Sequence, residues 1–102
     1  MAEPDPDFDA VHPSGHVLFR SCRGGYLHSV ALAEAAMDAD ADTLARAVQL
    51  TADVSHLKAL MQIRREIVAA GHTPSAEIPT EQQLEVAIAA LQRHRLQPDP
   101  GI

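Results

Sequence analysis

Six histidines, one cysteine and a run of alternating aspartates are the side chains in this 102-residue sequence best suited to hold a metal or attack an electrophile. The histidines stand at 12, 16, 28, 56, 72 and 94, and only His12 and His16 are four apart. Pro13 and Gly15 between them keep the two rings off a shared helical face, and no cysteine cluster accompanies them. No metal site is therefore expected. Asp38, Asp40 and Asp42 have the spacing that opens a calcium loop. That loop also needs Gly at its sixth position and Glu at its twelfth. This chain has Thr43 and Gln49 there, so helix capping is the preferred reading.

Two runs of strand formers, HVLFRSC and YLHSVAL, flank Gly24 and Gly25, which suit a tight hairpin turn. With Arg23 paired to Tyr26, Ser21 faces His28, and Cys22 lies alongside. A serine or cysteine nucleophile needs an orienting acid and an oxyanion hole, and no nucleophile motif surrounds either residue. A cross-strand polar pair is preferred. Asp53 and His56 share a helical face as a solvated pair. The basic side chains Lys58, Arg64, Arg65, Arg93 and Arg95 are candidate phosphate contacts for sequence-tolerant DNA binding. Placed in the last turns of two helices, the same cations complement the helix dipole. Five acids match the five bases between Asp53 and Arg95, so the structural role is favoured. With no catalytic set, cofactor site or metal site, the chain reads as a non-enzyme.

The element that must position most of these groups is one long helix. From Asp40 to Ala70 there is neither Gly nor Pro. Asp40 and Asp42 mark its start, and Gly71 followed by Pro74 marks its end. At about 100° per residue, Leu50, Val54, Leu57, Met61 and Val68 form one stripe. Leu44, Ala47 and Val48 widen that stripe on one side, whereas Leu60, Ile63 and Ile67 widen it on the other. The helix would run about 45 Å, long for a domain of this size. The expectation is that part of it packs inside its own subunit and part against a second copy, with the stripe Leu50, Val54, Leu57, Met61 and Val68 as dimer or partner interface.

The hairpin register also puts Phe19 opposite Val30 and Val17 opposite Leu32, and these four side chains then share the face laid on the long helix. A lone hairpin is marginal in water, so a partner's strands are expected to extend it. Residues Ala33 to Ala39 form an Ala-rich connector able to add a helical turn. Thr80 with Gln83 forms a capping box for a second helix over about 81 to 95, with Leu84, Ile88 and Leu91 on its apolar face. The Pro- and Asp-rich residues 1–14 read as a disordered acidic tail and residues 98–102 as a second one, leaving a single domain over 15–97.

Composition excludes several classes. The net charge of −6 gathers in Glu3, Asp5, Asp7 and Asp9 and again in Glu34, Asp38, Asp40 and Asp42, which disfavours uniform attraction to nucleic acid. Only Phe8, Phe19 and Tyr26 are aromatic, too few for a base-stacking platform. Cys22 has no partner for an internal disulfide, which fits a reducing compartment. No apolar run approaches the roughly 18 residues that span a bilayer, so the expectation is a cytoplasmic protein with no membrane contact.

The hairpin Val17-x-Phe19, the turn at Gly25, Val30-x-Leu32, and then an acidic start to a long Leu/Ala helix resemble the YbaB/EbfC-like proteins, small homodimers associated with the bacterial nucleoid. The Leu44-Ala45 opening of the long helix and Ile78 before Pro79-Thr80-Glu81 resemble more closely the EspD/EspH group of mycobacterial type VII secretion-associated proteins. The resemblance covers roughly residues 15 to 95. It implies an α+β, YbaB-like fold: an antiparallel β-hairpin, one long helix and a shorter C-terminal helix, with sheet and helices completed by dimerisation. By the closer resemblance the chain is a chaperone-like accessory partner of another secretion-system protein, and by the more distant one a DNA-binding protein. A helix ahead of the hairpin, typical of YbaB-like proteins, is absent from the sequence pattern. So is the type VII export signal of Tyr followed four residues later by an acid, which argues for a cytosolic helper.

Overall fold

The computed structural model describes residues 5–96. Its fold is α+β: a three-stranded antiparallel sheet, then a long helix and a shorter C-terminal one. Strand β1 is Ala10–Val11, β2 is Val17–Ser21 and β3 is Leu27–Leu32, in spatial order β1-β2-β3. Helix α1 is Ala41–Ala69 and α2 is Glu81–Arg93.

The acidic segment before the hairpin is where the structure departs most from expectation. Residues 1–4 and 98–102 of the anticipated tails lie outside the described residues. Residues 5–14 do not form a tail. Pro6–Phe8 makes a 3-10 turn capped by the Asp5 carboxylate, and β1 pairs with β2, Ala10 opposite Phe19 and Val11 opposite Leu18. Phe8, Ala10 and His12 are buried, whereas Val11 between the last two is exposed. This is the period of a strand with one covered face. Asp9 accepts two hydrogen bonds from the Arg20 guanidinium, at 2.9 and 2.8 Å, and Lys58 Nζ donates to the Asp9 carbonyl at 2.8 Å. Opposite charge on β2 and α1 converts a Pro- and Asp-rich stretch into an ordered arm.

In the hairpin, Phe19 pairs with Val30 and Val17 with Leu32, as the spacing predicts. Nearer the turn the pairing differs. Cys22 N–H bonds to the Tyr26 carbonyl, which leaves a three-residue loop, and Ser21 faces Leu27 rather than His28. His28 is the extra residue of a bulge that restores the outer register. Gly25, at φ +86°, sits so close to α1 that an added Cβ would lie 2.7 Å from His56 Nδ1. His56 donates from Nδ1 to the Gly25 carbonyl at 2.9 Å, so its partner is the turn and not Asp53.

Helix α1 has two buried sides. Ala47, flanked by Leu44, Val48 and Ala52, packs on Val17 and Phe19 of β2, on Ala36 of the 3-10 turn Glu34–Asp38, and on Leu96. Leu50 and Val54 pack on Ala10 and on Leu91 of α2, with Leu84, Ala87 and Ile88 around them. The helix begins where the aspartates predict: Asp40 Oδ1 accepts from Thr43 N–H at 2.8 Å and Oδ2 from the Thr43 hydroxyl at 2.9 Å. These bonds hold the Asp40 carboxyl below its ordinary pKa. It ends in a Schellman arrangement, with Gly71 at φ +86°, Gly71 N–H on Val68 O and His72 N–H on Ile67 O. The Thr80–Gln83 capping box opens α2.

Candidate functional site

The predicted interface stripe is used mostly inside the subunit. Leu50, Val54 and Met61 are buried, Leu57 is half-buried, and only Val68 stands well out of the core. The cause is α2, which folds back on the stripe and covers it with Leu84, Ile88 and Leu91. The basic side chains are largely engaged as well. Lys58 holds the Asp9 carbonyl, Arg64 lies 3.4 Å from the carbonyls of Ile78 and Pro79, and Arg65 pairs with Glu81 at 3.8 Å. Arg93 lies in the last turn of α2 and Arg95 just beyond it. Ser21, Cys22 and His28 do not assemble. The Ser21 hydroxyl is buried against Ser55, Cys22 is buried, and His28 is exposed with Nδ1 3.0 Å from Ser29 Oγ.

The uncovered surface lies on β3. Every one of its residues is exposed, including Leu27 at 61%, Val30 at 45% and Leu32 at 43%. Val17 and Phe19 on the same face of the neighbouring strand are buried, because α1 lies across β2 and β1 and leaves β3 overhanging. Among the described residues β3 is an edge strand, and its sequence LHSVAL carries no formally charged residue or proline. Ala33 N–H bonds to His16 O across the pair. By antiparallel alternation, Val30 and Leu32 then direct their backbone groups to the open edge. Tyr26, just before the strand in sequence, and Met37, in the 3-10 turn after it, are also exposed. Such an edge is a template for another strand.

A second feature was invisible in the sequence. His12, 1% exposed, meets His94 across 82 residues of chain, Nε2 to Nδ1 at 3.0 Å. The Ser14 backbone N–H donates to His12 Nδ1 at 3.0 Å, so that nitrogen carries the lone pair and the neutral ring carries its proton on Nε2. The Nε2–H then donates to His94 Nδ1, and the neutral His94 ring keeps its own proton on Nε2. Ser14 Oγ lies 2.8 Å from His12 Nδ1 and accepts from the His16 N–H at 3.1 Å. Burial, and then the charges His94 and His16 can carry, hold the His12 pKa below its ordinary value. Beside this chain of bonds is a cleft of about 320 Å³ lined by Pro13, Ser14, His16, His94 and Arg95 with His12 and Leu96. Among the described residues no group of three metal-ligating side chains is close enough to hold an ion. The alternation Phe8, Ala10, His12 could have marked His12 as inward-facing, but nothing local points to His94.

A family model described as "Protein of unknown function (DUF2694)" matches residues 1–97. Uncharacterized protein Rv0028 of Mycobacterium tuberculosis (strain ATCC 25618 / H37Rv) and uncharacterized protein Mb0029 of Mycobacterium bovis (strain ATCC BAA-935 / AF2122/97) are similar to this chain. Each is 66% identical over 96 residues, covering 94% of this chain and 95% of its own length. No solved structure matches.

Proposed function

The chain belongs to the DUF2694 family of proteins of unknown function, and we propose that it acts as a non-enzymatic interaction protein that self-associates through the β3 edge. The observation that carries this reading is the uncharged, wholly exposed edge strand with Val30 and Leu32 uncovered. Two copies of β3 paired antiparallel about Ala31 would set Val30 of one opposite Leu32 of the other, apolar against apolar, with no charge to repel. The joined sheet would have six strands and both long helices on one face, with Val30 and Leu32 of each copy packed beside those of the other. The occupant of this edge is therefore a second copy. Light scattering should give twice the monomer mass, and Val30→Lys should return the monomer. A wild-type monomer at tens of micromolar, about the affinity of a weak dimer, would overturn the reading.

The accessory role in type VII secretion, acting in the cytoplasm on another secretion-system protein, is supported by the resemblance over residues 15 to 95. No helix among the described residues is long and apolar enough to cross a membrane, which is compatible with that role. Pull-down from native lysate should recover a secretion-system protein; recovery of chromosome-associated proteins alone would count against it. The DNA-binding alternative is weakened by the partners already held by Lys58, Arg64 and Arg65. A mobility shift at low salt would restore it.

A further inference from the structure

Three of the six histidines, with Arg95, line one cleft in a chain of net charge −6. Neither Asp nor Glu is among the lining residues, since the acids gather in the N-terminal arm and around the start of α1. The bonding chain fixes what the cleft presents. His94 Nδ1 is committed to His12, so the remaining His94 nitrogen is a donor, and it has no acceptor among the described residues. The His16 ring and the Arg95 guanidinium likewise have no hydrogen-bond partner among the described residues. Three donor side chains therefore border one space, and the only acceptor hydroxyl near them, Ser14 Oγ, already receives the His16 N–H. A ligand that fits must bring acceptors and negative charge. The carbonyl end of α2 opposes an anion there, but Leu91 O already accepts from His94 N–H, and Arg93 and Arg95 flank that end.

We infer that this cleft binds a phosphoryl group, as inorganic phosphate or a small phosphate monoester, with His94 Nε2–H, the His16 ring and Arg95 each donating to a different oxygen. A carboxylate has two oxygens to offer three donors and binds less well. The ionisable groups facing the cleft are His12, His16, His94 and Arg95. Buried His12 takes no part in contact and positions His94.

The test is titration of the full chain with inorganic phosphate, followed by the imidazole resonances, with acetate and chloride at matched ionic strength alongside. Phosphate should shift the His16 and His94 resonances saturably at neutral pH. Arg95→Gln, at an exposed position outside the core, should cost about tenfold while leaving the melting temperature unchanged. His94→Gln should cost at least as much, and circular dichroism would show whether its fold survives. Phenyl phosphate separates the sources: binding equal to phosphate admits a monoester, and weaker binding assigns the site to the free ion. No saturable shift at about 10 mM phosphate, equal binding of acetate, or undiminished binding by Arg95→Gln would each overturn the inference.

Discussion

Ser21 Oγ on β2 and Ser55 Oγ on α1 lie 2.6 Å apart inside the protein, and Ser55 Oγ in turn donates to the Phe8 carbonyl at 2.6 Å. Because Ser55 gives its proton to Phe8, Ser21 must be the donor to Ser55. One buried hydroxyl therefore ties strand, helix and N-terminal arm together.

Removing that middle member should be the costlier change. Ser55→Ala leaves both the Ser21 hydroxyl and the Phe8 carbonyl buried without a partner, a loss of about 1–3 kcal/mol. Ser21→Ala keeps the Ser55–Phe8 bond and should cost about 1 kcal/mol. Thermal melts rank the two, and hydrogen exchange of the Ala10 and Val11 amides should accelerate in Ser55→Ala alone.

Acid should loosen the protein in two stages. The folded His12 pKa lies below its ordinary 6.5, so the unfolded chain binds more protons and stability falls once pH drops below about 6.5. The Asp9 carboxyl, bonded to Arg20, lies below its ordinary 3.8. Its contribution is present above that value and is lost as pH falls through the lower folded one. Melting temperature measured from neutral pH downward should show both steps. In His12→Gln the upper step should be missing, although that variant is less stable at neutral pH.

Gly25→Val should destabilise by about 1–3 kcal/mol, because a β-branched residue is strained at positive φ. Gly25→Ala adds a clash with the His56 ring, 2.7 Å from the added Cβ. In a His56→Ala background the alanine penalty should shrink but persist, which calorimetry can resolve as a double-mutant cycle.

Members of the same helical stripe should respond unequally. Val54, 2% exposed, sits against Ala10 and Leu91, whereas Val68 is 57% exposed. Val54→Ala should cost at least about 1 kcal/mol and Val68→Ala under about 0.5 kcal/mol, read from urea midpoints.

On the β3 edge, Val30→Lys should leave the stability of the monomer within about 0.5 kcal/mol of wild type, since the residue is exposed. Its effect belongs to assembly, and sedimentation of the two proteins at equal concentration checks it.

Much of the frame was legible in the residues. The aspartate cap, the Gly71 stop and the Thr80–Gln83 box each act within a few positions of chain, so local chemistry placed both helices. The outer hairpin register was legible too, although the two glycines imply a turn one residue shorter than the loop the chain forms. The bulge at His28 absorbed that difference and hid it. The arm was missed because its Pro and Asp content resembles disorder, while the charges that order it, Arg20 and Lys58, stand 11 and 49 residues away.

What the sequence alone determined was where each helix starts and stops, which strands turn back on each other, and which side chains are apolar. Those are short-range consequences of backbone geometry and periodicity. Tertiary structure decided which apolar faces stay open. Helix α2 folded over the stripe at Leu50 and Val54 and left β3 bare instead. It also carried His94 to His12, because covering apolar area is indifferent to distance along the chain.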